Sequence, residues 1–312
     1  MRICSLLPSA TEIVYALGLG DQLYGVSHEC DFPPDATSKP TIIRSVFDSS
    51  GLSSFEIDRT VRERLRRGER VYTIDLDRLR EADPDLILTQ ELCDVCTVPY
   101  REVKRAVEQL DSRPHLLSLS PLLLGDVLQD IRRVGEATGR RERAASLVGD
   151  LQSQIDQVIS QVAGATERPK AVCVEWVDPI YAAGHWVPEM VELVGGIDGL
   201  GRKGKPSVPI TWERVVRYAP EVVILMGCGF DLERNIRELP LLTRLPEWAD
   251  LPAAKGGRVY AVNGSAYFSR SGPRLVDGLE LLARILHPDL FPGAMSANAA
   301  RQIRGDELCG HG

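Results

Sequence analysis

The chain has 312 residues, 44% of them hydrophobic and 26% charged, with a net charge of −7. That length suits two domains or one large one, and that balance is typical of a globular chain with a sizeable core. The acidic charge argues against nucleic acid as a partner, because phosphate binding needs a basic surface, and no run approaches the ~20 apolar residues that cross a bilayer.

The N-terminus lacks the basic start, apolar run and small-residue cleavage site of an export signal. Arg2-Ile3-Cys4-Ser5-Leu6-Leu7 reads instead as a first strand. The expectation is a cytoplasmic chain as written, or a periplasmic or cell-surface one if a leader has been removed. Seven cysteines, an odd number in a long chain, point to reduced thiols rather than a disulfide framework.

After the first strand, Ser9-Ala10-Thr11-Glu12 has capping-box spacing and opens a helix. Ile13, Ala16 and Leu17 give it an apolar face, and Gly18 stops it. Leu23 to Val26 is a second strand. Arg62 to Arg70 holds five arginines among acidic residues and reads as a solvated helix and its end. Asp77 to Ala82 is a short helix, Asp85 to Thr89 a buried strand, Pro99 to Leu110 a helix, and His115 to Ser118 a strand. From Pro121 to about Ala163 apolar residues recur at helical spacing, with a break near Gly139. Such a stretch makes a spine between two lobes.

The second half repeats the grammar of the first. Ala171 to Glu175 is a strand like residues 2–6. Glu189 to Gly195 mirrors Glu12 to Gly18, with Glu and Gly six apart in both. Glu213 precedes Pro220 by seven, as Asp77 precedes Pro84. Glu221 to Leu225 then mirrors the Asp85 strand. Alternating strands and helices imply parallel sheets covered on both faces. The expected fold is therefore α/β. Two Rossmann-like lobes, residues 1–120 and 167–290, are joined by one long helix, residues 121–166, and a loosely ordered tail follows at 291–312. Ligands bind such sheets beyond the carboxyl ends of the strands, so the interlobe cleft is the default site.

Cys30, Cys93, Cys96 and Cys228 each follow a predicted strand end and are expected at that cleft. Together they suit zinc or an iron–sulfur cluster, or contact with a bound metal chelate. The plainer reading is four unrelated small residues at tight turns. Trp176, Tyr181, His185 and Trp186 crowd the segment after the second lobe's first strand, where a large flat ligand would stack. Arg44, Tyr267, Phe268, Arg270 and His28 lie on segments expected to face the same cleft. Gly199 to Gly204 fits G-x-G-x-x-G but follows a helix and precedes Pro206, so it is a chance match. There is no P-loop, nucleophile elbow or Ser-His-Asp order, and no acid/base pair, so an enzyme is not expected.

Several segments resemble the solute-binding proteins of ABC importers for cobalamin and iron chelates, the cobalamin-binding branch most of all. They are Ser5 to Glu12 with Ala16-Leu17-Gly18, Gly25-Val26-Ser27 with Cys30-Asp31-Phe32-Pro33, Asp83 to Ile87, Ala219 to Val223, and Ser271-Gly272-Pro273-Arg274. The likeness runs from residue 2 to about 290 but leaves out 46–72. It implies a binding protein that needs no cofactor, takes cobalamin, another corrinoid or a related metal chelate, and delivers it to an ABC permease; a monomer is expected because no hydrophobic face is left over for a dimer. In such proteins each lobe offers the permease a carboxylate, and the matching positions here are Asp77 and Glu213. Gln90 stands where the family has a corrin-stacking Trp. The missing export signal and the cleft cysteines are departures. They keep two alternatives open, a cytoplasmic storage or trafficking relative and a zinc or iron–sulfur protein.

Overall fold

The structure, a computed structural model, describes residues 1–91 and 97–303. The first lobe runs β1 (Ile3–Ser5), α1 (Pro8–Ala16), β2 (Leu23–Ser27), β3 (Thr41–Ser45), α2 (Ser54–Arg66), β4 (Tyr72–Ile74), α3 (Leu76–Ala82), β5 (Leu86–Thr89), α4 (Tyr100–Val107) and β6 (His115–Ser118). Its six strands lie in the order β4-β3-β2-β1-β5-β6, parallel except for β4. Helices α5 (Leu124–Ala137) and α6 (Arg141–Val162) follow.

The second lobe begins with β7 (Lys170–Trp176), β8 (Tyr181–Ala182), β9 (Gly184–His185), α7 (Val187–Leu193), β10 (Ile197–Asp198), β11 (Arg202–Lys203), β12 (Val208–Pro209) and α8 (Trp212–Tyr218). It continues with β13 (Val222–Leu225), α9 (Leu232–Thr243), α10 (Pro252–Lys255), β14 (Val259–Val262), α11 (Gly264–Tyr267), α12 (Leu275–Leu286) and β15 (Ala300–Gln302). Strand β7 pairs in parallel with β10 on one side and β13 on the other, as β1 pairs with β2 and β5.

The repeat extends to single hydrogen bonds. Gly18 N donates to Tyr15 O and Leu19 N to Val14 O; Gly195 N donates to Glu192 O and Gly196 N to Val191 O. Both helices thus end in the same Schellman-type turn, and φ of 73° and 77° is why a glycine stands there twice. Helices α3 and α8, seven residues each, both end on a left-handed residue, Asp83 and Ala219, just before a proline.

The linking segment breaks near Gly139 as its spacing predicts, so it is not one continuous long helix. It is two helices, divided at Gly139 with φ 68°. They cross closely, since a Cβ on Gly135 would lie 2.3 Å from the Ala144 methyl. Helix α6, 22 residues and about 33 Å long, reaches both lobes. Arg143 donates to Ala16 O at one end and Gln161 to Leu290 O at the other. One apolar cluster runs through Ile3 and Ile13 of the first lobe, Ile131 and Val148 of the helix pair, and Leu279 and Leu282 of the second lobe. Each sheet covers its outer face with a cluster of its own. A shared core resists large hinge motion.

Two further expectations change. Helix α1 begins at Pro8 with Leu7 as N-cap and no side-chain cap, so Ser9 and Glu12 are not a capping box. Glu12 is spent elsewhere, as described below. Residues 291–303 are not a loose tail. Phe291, Ala299 and Ile303 are buried, and β15 adds an antiparallel edge strand to β14. Residues 304–312 lie outside the described residues.

Candidate functional site

A cavity of about 540 Å³ opens between the lobes. Its walls are the loops after β2, β13 and β14, the carboxyl ends where an α/β sheet offers its ligand site. The first lobe contributes Asp31, Phe32, Ser49 and Ser50. The second contributes Phe230 and Asp231, Arg234 and Arg237 on α9, and Arg270 and Arg274 before α12.

The floor is an ion-pair network across the lobes. Glu12 of α1, only 3% exposed, receives Arg274 Nε at 3.0 Å and Nη2 at 2.5 Å. Arg270 Nη1 stands 3.5 Å from the same carboxylate, binds Asp31 through both terminal nitrogens, and donates from Nη2 to Glu29 O at 3.1 Å. The Arg274 guanidinium also covers the Phe32 ring at 4.0 Å. Gly272 lets this approach happen, because a Cβ there would lie 3.3 Å from Glu12 Oε2.

The opposite lip is held by Arg234. It pairs with the buried Glu238 at 2.7 Å, donates to Leu52 O of the first lobe, and lies over the Phe230 ring at 4.7 Å. Phe230 packs on Trp176, ring centres 5.0 Å apart, so one wall is aromatic. Arg237 is exposed beside it.

Of the ten residues expected to touch a ligand, Arg270 lines the cavity and Trp176 backs it through Phe230. Tyr181 receives Arg62 Nη2 at 2.9 Å, a second contact between lobes. Trp186 is a correction. It is 5% exposed, and its indole N–H donates to Phe268 O at 2.8 Å. Both rings are core, not cleft, as is fitting for residues that close α7 onto α12. His185 packs on Trp186, and burial lowers its pKa. Tyr267 packs against the core and lines a separate hollow by α12. Arg44 is exposed on β3 opposite Thr73, and His28 lies by Ile43 O and Tyr72. Gln90 is half-buried at the end of β5. None of these last four lines the cavity.

The cysteine expectation also changes. Cys30 is buried in the first lobe's core, where Thr11 Oγ1 donates to its sulfur at 3.1 Å. Burial pushes its thiol up to about 11, so it is neutral and no ready thiolate ligand. Cys228 is half-buried near the cavity rim. Cys93 and Cys96 lie outside the described residues. Among the described residues no group of His, Cys, Asp and Glu is placed to hold a metal. Alkylation of the reduced native protein at pH 8 should therefore modify Cys228 well before Cys4, Cys30 or Cys173, read by peptide mass mapping. Cys30 reacting as fast as Cys228 would contradict its burial.

Asp77 and Glu213 sit at matching places, in the exposed first turns of α3 and α8. Asp77 is 89% exposed and pairs with Arg80. Hydrogen bonds from its own backbone and from Thr211 hold the Glu213 carboxyl below the usual range.

Two lobes, a shared core and an interlobe cavity define a two-lobed binding protein. Residues 3–266 match the family described as periplasmic binding protein. The chain belongs to that family, whose members bind solutes and are not enzymes. Among similar sequences is an uncharacterized ABC transporter substrate-binding lipoprotein of Bacillus subtilis, 26% identical over 93% of this chain and 81% of the relative. Another is the vitamin B12-binding protein of Vibrio cholerae, 25% identical over 91% of this chain and 88% of the relative. The fold matches the periplasmic vitamin B12-binding protein of V. cholerae, with TM-score 0.68, 23% identity, and 93% and 98% of the two chains covered. It also matches a periplasmic heme-binding protein of Pseudomonas aeruginosa, with TM-score 0.73, 18% identity, and 97% and 98% covered. These relatives are described as periplasmic or as a lipoprotein, so the cytoplasmic expectation finds no support among them. Among the described residues no helix is long and apolar enough to cross a membrane.

Proposed function

We propose that this chain captures a corrinoid in its interlobe cavity and hands it to an ABC permease. One observation carries the reading. The cavity lies at the strand ends of both lobes in a chain of the periplasmic binding protein family. The sequence relatives named vitamin B12-binding favour the corrinoid. The Phe230–Trp176 wall would take the apolar face of a flat macrocycle, and the arginines would meet acceptor groups at its rim. In this reading Asp77 and Glu213 face basic residues of the permease. The corrinoid is cargo, not a resident cofactor. The Bacillus relative's description as an ABC transporter substrate-binding lipoprotein favours delivery over storage or trafficking.

A second reading is a haem or ferric chelate carrying anionic groups. It is favoured by the four arginines on the cavity wall, which suit carboxylates or catecholates. Calorimetric titration with cyanocobalamin, haemin and a ferric catecholate siderophore separates the two. The first reading expects cyanocobalamin to bind with Kd near 1 μM or tighter, about −8 kcal/mol. Haemin or the siderophore binding while cyanocobalamin stays silent at millimolar concentration replaces it with the second.

A further inference from the structure

Residues 47–70 leave the edge of the first sheet and return to the same place. Val46 N donates to Val71 O, and Ser45 pairs antiparallel with Tyr72. A two-residue turn is enough to join strands so placed. The chain instead makes an excursion that carries α2. This helix is well started, because Ser53 and Glu56 form a true capping box: Glu56 N donates to Ser53 Oγ and Ser53 N to Glu56 Oε2. Yet of its 13 residues only Ser54 is buried, while Phe55 and Leu65 stay exposed. A helix of this length gains its stability from tertiary packing, and the first lobe supplies little.

The second lobe supplies the anchors. Arg62 of α2 donates to Tyr181 OH, and Leu52 O, just before α2, accepts from Arg234. Arg234 is itself fixed by Glu238 and Phe230. Between β3 and α2, Ser49 and Ser50 form part of the cavity wall. One segment thus covers the cavity, packs poorly on its own lobe, and is fastened to the other.

We infer that residues 47–70 are a lid on the interlobe cavity, and that its contacts with Tyr181 and Arg234 set the rate at which ligand enters and leaves. The inference rests on the cavity being the ligand site. A lid drawn from the least packed part of a fold opens locally without unfolding the rest, and such opening limits release in many closing sites.

The first test needs no ligand. Hydrogen exchange across residues 54–66 is compared in the wild type and Tyr181→Phe, which removes the acceptor of Arg62 and little else. The lid expects exchange there to quicken roughly three- to tenfold, the effect of one hydrogen bond of ordinary net strength, with α5 and α6 unchanged. Equal exchange in both proteins overturns it. The second test replaces residues 47–70 by Asn-Gly and follows cyanocobalamin and haemin by stopped flow. Association and dissociation should both quicken by roughly tenfold, for two lost hydrogen bonds, with the affinity changing less than either rate. A folded deletion variant with wild-type rates sinks the lid but leaves the site standing. A wild type that binds neither probe sinks the ligand reading, and the exchange comparison still decides whether α2 is held by the second lobe.

Discussion

Arg274→Leu is expected to cost the free protein about 3 kcal/mol of stability, the lower end of what is lost when one member of a buried ion pair is removed. Glu12 is almost wholly enclosed and lies between the lobes. Without Arg274 its charge keeps only Arg270, 3.5 Å away and already committed to Asp31. Glu12→Leu should cost a similar amount, because two guanidinium groups then crowd the floor with one carboxylate fewer. The double variant Glu12→Leu/Arg274→Leu should cost clearly less than the two singles added, since an apolar pair of similar volume often replaces a buried ion pair at little cost. Urea midpoints of the four proteins give the coupling. Strict additivity would show that the two side chains do not act as a pair. Salt should barely alter the result, as screening reaches buried pairs weakly.

That network shows what the sequence could and could not disclose. The fold was legible because its signals are local and repeated. Gly18 and Gly195 stop their helices by the same turn, and Pro84 and Pro220 each follow a left-handed residue. Such features recur at fixed spacing, and a single chain displays them twice. The break at Gly139 was legible for the same reason. The site was not. Glu12 stands three residues after Ser9 and looks like a cap, yet its partner is 262 residues further on. Arg234 and Arg237 sit three apart on a helix among acidic residues, a pattern that ordinarily marks a solvated face. Only the placement of α9 at the strand ends turns them into a cavity wall. Residues 291–303 looked loose because a three-residue edge strand carries almost no periodicity.

The aromatic segment misled in the other direction. In β7 side chains alternate between faces. Val172 and Val174 join the outer cluster of the second lobe, and Cys173 joins the shared core. Trp176 follows Val174 by two and reaches the Phe230 wall at the strand end. Trp186 caps α7, and α7 packs inward against α12, so its ring joins the shared core with Val187 and Met190.

Trp186→Ala is accordingly expected to act on stability. Loss of a large buried aromatic side chain costs about 3–5 kcal/mol, and the Phe268 carbonyl that receives its N–H is left without that donor. Trp186→Phe keeps most of the packing and removes the hydrogen bond, which should cost about 1–3 kcal/mol. Trp176→Ala presents the contrast. Its ring is only half-buried and packs on Phe230 at the cavity wall, so stability should fall by about 1 kcal/mol, while affinity falls by about 1 kcal/mol because Phe230, the ring that lines the cavity, loses the ring that backs it. Denaturation and cyanocobalamin titration of the three variants separate the roles. Trp186→Ala with an unchanged midpoint and weakened binding would return Trp186 to the cleft and make it a stacking residue.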